Sequence, residues 1–219
     1  MHGAHTLSLG DTAQGAGFSG TFALGDARTA VQSTKATEQR AALDALAPGV
    51  APWVNARVGI GADSEAGLTY TGRAVRFDAR HAFEFEETST AFSIGAGGSA
   101  VLRGEERTSP DGVVIAPSGF GFDVPLLFGW RSTAGIVSLW AGVRGGFERI
   151  SASPTPASEV DLRRVYGGGV IGLGLGFRHL HGAIELDSAY QRVSGSVYGG
   201  DIRLNGITLT PAAALILKF

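Results

Sequence analysis

The C-terminal stretch of the chain alternates between two unlike faces. Counted back from the end, one face holds Phe219, Leu217, Leu215, Ala213, Pro211, Leu209 and Ile207. The other holds smaller or more polar residues: Lys218, Ile216, Ala214, Ala212, Thr210, Thr208 and Gly206. A period of two residues is typical of a β-strand whose faces meet different surroundings. The segment 203–219 is therefore predicted to be a long strand that closes the fold.

The same alternation recurs along most of the chain and predicts an all-β protein. Every second position is mainly apolar in further segments, at 15–24, 53–61, 68–85, 91–103, 119–131, 137–147, 165–178 and 184–190. Glycine supplies 34 of the 219 residues, and no uninterrupted apolar run reaches transmembrane length. A membrane-spanning helix needs about 20 consecutive, mainly apolar residues, so the sequence excludes one.

The connections between these segments alternate in length. The long ones are 104–117, 151–160 and 194–201, and the short ones are 132–135 and 179–182. This sorting, together with a last strand that ends in Phe, resembles the small β-barrels of bacterial outer membranes. Those barrels have short turns on the periplasmic side and longer loops outside.

The resemblance covers residues 16–25 and 52–219 and rests on pattern, not on a motif of one family. It implies a closed antiparallel, up-and-down transmembrane β-barrel, formed by residues 1–219 as one domain and in contact with the lipid bilayer. We expect it in the Gram-negative outer membrane, as the mature form of an exported protein, because the start has no basic-then-apolar leader. Residues 34–46 are Ala-rich and lack Gly and Pro, which predicts a short helix within a long connection, 26–51. That helix either covers one mouth of the barrel or lies in a solvated loop.

The number of strands depends on the segment 68–85. Its apolar positions are even up to Tyr70 and odd further on. A two-residue hairpin at Thr71-Gly72, which pairs Tyr70 with Arg73, explains the change of parity and gives ten strands. A bulge within one long strand explains it as well, and gives eight strands with residues 1–51 outside the barrel. We favour ten, because eight would leave an alternating apolar first strand exposed.

The face opposite the apolar one carries charges. Seven basic and six acidic side chains fall on it: Arg57, Arg76, Asp78, Arg80, Glu84, Arg103, Asp123, Arg131, Arg144, Glu148, Arg178, Glu185 and Asp187. Isolated ions are very costly in an apolar core, but they can pair inside a narrow polar lumen. The same face has glycines that leave space for the long arginines: Gly95, Gly97, Gly121, Gly142, Gly172, Gly174 and Gly176. A barrel of roughly 8–10 strands is about filled by such side chains, so we expect a lumen that is plugged or very narrow.

The outward aromatic residues sort into two bands. Those near the short-turn ends are Phe18, Phe83, Phe85, Phe92, Phe128, Trp130, Phe177 and Phe219. Those near the long-loop ends are Tyr70, Phe120, Phe122, Phe147 and Tyr190. Mainly aliphatic residues and glycines lie between the bands, which predicts a lipid-facing belt with an aromatic girdle at each membrane interface.

Three patterns suggest chemistry, and each has a simpler structural explanation. The run 167–172 matches G-x-G-x-x-G, but no helix can start in the glycine-rich residues that follow, so no nucleotide site is expected. His179 and His181 could share a metal ion, yet no third ligand is near in sequence. His81 lies among phenylalanines on the lipid face and could serve a lipid-modifying enzyme at the barrel rim. We expect no catalytic, cofactor-binding or metal-binding residues and no cofactor.

Charge and composition exclude some classes of function and leave several functions of a membrane barrel as alternatives. The net charge of −2 argues against a nucleic-acid partner, and the chain has no cysteine for thiol chemistry. We expect a porin-like structural barrel, a narrow pore, or a component of an envelope assembly that contacts other envelope proteins. The alternatives are a lipid-modifying enzyme at the rim and a surface adhesin that acts through the long loops.

Overall fold

The computed structural model describes residues 3–24, 49–71, 74–101, 107–108, 114–115, 118–152, 160–197 and 200–219. Its strands are β1 (Thr12–Leu24), β2 (Gly49–Gly61), β3 (Ser64–Tyr70), β4 (Ala74–Phe85), β5 (Thr90–Val101), β6 (Arg107–Thr108), β7 (Val114–Ile115), β8 (Ser118–Arg131), β9 (Val137–Ala152), β10 (Val160–Phe177), β11 (Leu180–Val197) and β12 (Gly200–Lys218). The strands β6 and β7 form a separate small hairpin, and the other ten form one sheet.

The sheet closes on itself as an antiparallel barrel, because the first strand pairs with the last. Around the wall the order is β1-β12-β11-β10-β9-β8-β5-β4-β3-β2, and β2 returns to β1. Ser19 lies opposite Ala212 on β12, and Ala16 lies opposite Val54 on β2. The prediction of a closed ten-stranded barrel is confirmed, and the eight-stranded alternative is wrong because β1 is paired on both edges.

The hairpin between β3 and β4 is offset by one residue from the sequence prediction. Tyr70 lies opposite Val75, and the Thr71 amide donates to the Ala74 carbonyl at 2.9 Å. Thr71 and Ala74 therefore flank the turn, whereas the sequence pattern had paired Tyr70 with Arg73. Tyr70 and Val75 share the outer face, which accounts for the change of parity.

Three strands, β2, β11 and β12, extend further than their sequence pattern indicated. The predicted long connection 194–201 is mostly strand, because β11 continues to Val197 and β12 begins at Gly200. Likewise β2 begins at Gly49, which shortens the predicted connection 26–51. The helix predicted over 34–46 lies outside the described residues. Within the described ranges the helical segment is a 3₁₀ turn, Glu86–Thr88, and no helix there has the length and apolar character to span a membrane.

The outer wall of the barrel is apolar along all ten strands. Phe18 is 63% exposed, Leu215 63% and Phe219 62%, and most of the other outward aliphatic and aromatic residues are also exposed. A soluble monomer rarely exposes so large a continuous apolar surface. The wall therefore has the form of an outer-membrane-type barrel whose outward residues face lipid.

The two aromatic bands stay a prediction about the membrane interfaces, with one change of position. Phe18 is the middle residue of β1, which runs from Thr12 to Leu24, so it does not lie near the short-turn end. The sequence pattern misplaced it because it took the strand to begin near Gly15.

Candidate lumen site

Inward charges near the short-turn end form a buried network. Glu65 is 1% exposed, and its Oε1 accepts from Arg57 Nε at 2.6 Å and from Arg80 Nε at 2.8 Å. Arg57 also donates to Asp78, which joins the network to the next residues along the lumen. Buried charges are tolerated when each is paired and hydrogen-bonded in this way.

The network continues toward the long-loop end through Arg76. Its Nη1 donates to Asp78, while Nε and Nη2 hold both oxygens of Asp123 at 2.9 Å. Such a fork-to-carboxylate contact fixes both side chains in one geometry. A Cβ at Gly97 would overlap the Arg76 guanidinium, so the glycine provides the room that the arginine occupies.

The N-terminal segment, residues 3–11, enters the lumen from the short-turn side. The chain reverses at Gly10, where φ is +86°, and the Asp11 amide donates to the Ser8 carbonyl at 3.0 Å. A left-handed φ of this kind favours glycine. The turn at Gly10 sends residues 3–9 back into the barrel, so they do not continue β1.

Side chains of the wall bind the backbone of this N-terminal segment. Arg80 donates to the carbonyl of Gly3 at 2.6 Å and to that of His5 at 2.9 Å, and the Leu7 amide donates to Glu65 at 3.0 Å. Ala4 is fully buried in a cluster with wall residues of three strands, Ala91, Leu127 and Val170. The segment therefore forms a floor across the lumen.

His5 lies in this floor beside charged residues of the wall. Its Nδ1 is 3.4 Å from Glu84 Oε1. Burial lowers the pKa of His5, and the positive charges of Arg131 and Arg80 lower it further, whereas Glu84 raises it. The net direction is downward, so the docked segment favours neutral His5.

Above the floor the lumen widens into a cavity of about 360 Å³, which we call the upper cavity. One part of its lining is charged or aromatic and includes Arg144, Asp187, Arg164 and Tyr166. Another part is rich in hydroxyl groups from β1, β3, the residue after β3, and β12, namely Ser19, Thr21, Thr69, Thr71 and Thr210. The lining also includes apolar residues, among them Pro125, Leu127 and Val170, so the cavity is of mixed polarity.

Other charges predicted for the lumen form separate contacts outside the buried network. Glu84 and Arg131 lie at the short-turn mouth with 4.0 Å between their nearest charged atoms. Glu148 pairs with Arg164, and Glu185 accepts from Trp140 Nε1 at 3.0 Å.

Arg178 was assigned to the lumen, and this is wrong because it lies in the turn after β10, at φ +54°, with its guanidinium over the outward Phe177 ring. Arg103 lies outside the described residues.

Several lumen residues were missed by sequence reasoning. Glu65 was not among the predicted lumen charges, although it is the second residue of β3 and the centre of the buried network. Trp53 and Trp140 are large and apolar yet point inward, where both are buried. Parity along the strands could have found all three, since they share the inward register of Arg57, Asp78 and Arg144.

The other residues considered for chemistry make ordinary structural contacts. His81 Nδ1 lies 2.9 Å from Ser64 Oγ on the outer face, and its ring meets Phe83 edge-on. His179 contacts the Lys218 carbonyl and His181 the Arg178 carbonyl, and no cluster of three metal-binding side chains occurs in the described part of the chain. The glycine run 167–172 lies within β10.

Comparisons with known proteins show distant likeness in structure. No protein-family model matches the chain, and no curated protein matches it. Among solved structures, Neisserial surface protein A is 11% identical with a TM-score of 0.38, over 95% of this chain and 96% of that one. Ail of Yersinia pestis, solved in complex with the heparin analogue sucrose octasulfate, is 12% identical with a TM-score of 0.43, over 96% and 99%. The outer-membrane protease OmpT of Escherichia coli is 10% identical with a TM-score of 0.38, over 99% and 100%. Similarity at this level gives no information about function.

Proposed function

We propose that the chain is a structural outer-membrane barrel whose lumen is sealed, so that it anchors or supports other envelope components and does not conduct solutes. The floor formed by residues 3–11 carries this proposal. Arg80 and Glu65 bind its backbone while Ala4 fills a pocket in the wall. Next to the floor, Glu65 pairs with Arg57 and Arg80, and Arg57 also pairs with Asp78, so these side chains fill part of the lumen.

Conductance in a planar lipid bilayer tests the seal. We expect purified protein to show no steps of the size of a general porin. Replacing Ala4 by Asp would place a carboxylate among Ala91, Leu127 and Val170, which should expel the segment and raise the conductance.

The matched control is Leu9→Asp, which makes the same substitution in the same segment at a residue that is 72% exposed. We expect this variant to remain as closed as the wild type. Porin-sized steps from wild-type protein would refute the sealed lumen. Equal conductance in the two variants would show that the N-terminal segment does not seal the lumen.

A lipid-modifying enzyme is the second candidate, favoured by the contact between Ser64 and His81. Their side chains are 2.9 Å apart near the short-turn end, on the face that meets lipid. A nucleophile beside a base is the first requirement for acyl transfer. Phospholipid hydrolysis that disappears in His81→Ala would support this candidate, whereas no hydrolysis by wild-type protein would leave the sealed structural barrel.

A further inference from the structure

Arg144 differs from the other arginines that line the upper cavity. Its Nε lies 3.8 Å from Asp123 and its Nη1 lies 3.9 Å from Asp187, and both distances exceed hydrogen-bonding range. The Nε is buried and has no hydrogen-bond partner in the described part of the chain. The side chain is 37% exposed, so a guanidinium with unused donors faces the cavity.

The carboxylates near Arg144 differ in how many hydrogen bonds they already accept. Asp123 is held at both oxygens by Arg76, and Glu148 is paired with Arg164. Asp187 contacts Arg144 at 3.9 Å and lies 17% exposed. Asp187 therefore keeps acceptor capacity, which a carboxylate can direct at hydroxyl groups.

Another part of the lining supplies the hydroxyl groups named above. Thr21 and Thr210 share a hydrogen bond of 3.1 Å between their Oγ1 atoms, which leaves each hydroxyl able to make further bonds. At about 360 Å³ the cavity lies at the lower end of the range for small-molecule sites. It is large enough for one sugar ring and too small for an extended oligosaccharide.

We propose that the upper cavity binds a monosaccharide that carries one negative group. The guanidinium of Arg144 binds the carboxylate or phosphate of the sugar, since its planar fork matches either group. Asp187 accepts from ring hydroxyls, and the Ser and Thr side chains contact the remaining ones. The site lies above the floor, so it is independent of whether the barrel conducts.

Calorimetric titration of the detergent-solubilised protein tests this proposal, with glucuronate, glucose and inorganic phosphate as probes. Fluorescence of Trp53, which lines the cavity, provides a second signal. We expect saturable binding of glucuronate and at least tenfold weaker binding of glucose. Arg144→Gln should lose at least tenfold in glucuronate affinity, and Asp187→Asn should weaken both sugars.

The matched control is Arg149→Gln, on the same strand but outside the lumen, where Arg149 pairs with Asp161 at 3.0 Å. It should bind glucuronate as the wild type does. Mobility on an unheated gel checks that each variant is folded. If Arg144→Gln does not fold, Arg144→Lys keeps the charge, lacks the fork, and should also lose affinity.

Three results would overturn the proposal. The first is the absence of saturable glucuronate binding to folded wild-type protein. The second is unchanged affinity in a folded Arg144 variant. The third is phosphate binding as tight as glucuronate binding, which would show that the cavity holds an inorganic anion only.

Discussion

Arg80 and Arg144 both point into the lumen, but their surroundings differ. Arg80 contacts Glu65 at 2.8 Å and binds two backbone carbonyls, whereas the ionic contacts of Arg144 are 3.8 and 3.9 Å long. The side chain of Arg80 is buried and that of Arg144 is partly exposed. Removing one partner of a buried ion pair leaves the other charge buried and uncompensated. When the pair is partly exposed, water solvates the remaining charge.

We therefore predict unequal costs for truncating these two arginines. Arg80→Ala should lower the free energy of unfolding by about 3–5 kcal/mol, because Glu65 remains buried with one partner fewer. Arg144→Ala should lower it by about 1 kcal/mol or less. Urea unfolding in detergent micelles measures both, with Arg149→Ala as the exposed control. Equal losses at positions 80 and 144 would contradict the difference in burial.

A second residue-scale prediction concerns the glycines of β10. A Cβ at Gly172 would overlap the indole of Trp140, which donates to Glu185 at 3.0 Å. Gly172→Ala should therefore destabilise the barrel by about 1–3 kcal/mol and shift the tryptophan emission. Gly167→Ala on the same strand is the control, since a Cβ there meets nothing within 4 Å. Similar stability in the two variants would show that Trp140 moves aside without cost.

At the scale of elements, the N-terminal segment should behave as part of the lumen. Because the chain has no cysteine, single replacements at His5 and Leu9 can be labelled selectively. His5 is largely enclosed and Leu9 is exposed, so a water-soluble thiol reagent should label His5→Cys at least tenfold more slowly. Denatured samples should react at equal rates. Equal rates in the folded state would mean that the floor opens readily.

The same element should make stability depend on pH. The pKa of His5 is lowered in the folded protein, so the unfolded chain binds the proton more readily. The stability that depends on neutral His5 is therefore fully present above about pH 6.5, the usual histidine pKa, and is lost as the pH falls below that value.

Thermal unfolding at pH 7.5 and 5.0 measures this effect. Wild-type protein should lose more stability than His5→Gln over that range. His179→Gln, which changes an exposed turn residue, should behave as the wild type does. A larger loss in His5→Gln than in wild-type protein would mean that Glu84 dominates and raises the pKa.

The wall elements could be predicted from the sequence, but the floor could not. Period-two alternation marks each strand because lipid lies on one side and polar side chains on the other. That contrast is weak in the last residues of β11, which ends at Val197, and in the first residues of β12, which begins at Gly200. The sequence pattern therefore missed these two strand ends. The short alternation at residues 6–9 resembles a strand and gives no sign of a lumen segment, because the position of residues 3–9 depends on tertiary contacts with Arg80 and Glu65.

For the molecule as a whole, closure between β1 and β12 is the decisive feature. Thr21 and Thr210 have side-chain oxygens 3.1 Å apart across this seam. The double replacement Thr21→Cys and Thr210→Cys should form a disulfide in folded protein. Thr21→Cys with Gly206→Cys, four residues before Thr210 on β12, should not. A folded protein that cross-links neither pair would place β1 outside the wall.

The seam also constrains the order in which the protein folds. The amide of Thr12 donates to the carbonyl of Phe219, and the amide of Phe219 donates to the carbonyl of Thr12, both at 2.9 Å, so Phe219 supplies partners for the first strand. Until β12 has been made and has paired with β1, the sheet keeps two unpaired edges. In that open state residues 3–11 can reach Arg80 and Glu65 from the side; after closure they can enter only through the mouth. We therefore expect assembly to begin with neighbouring hairpins, to take in the N-terminal segment, and to end when β12 meets β1.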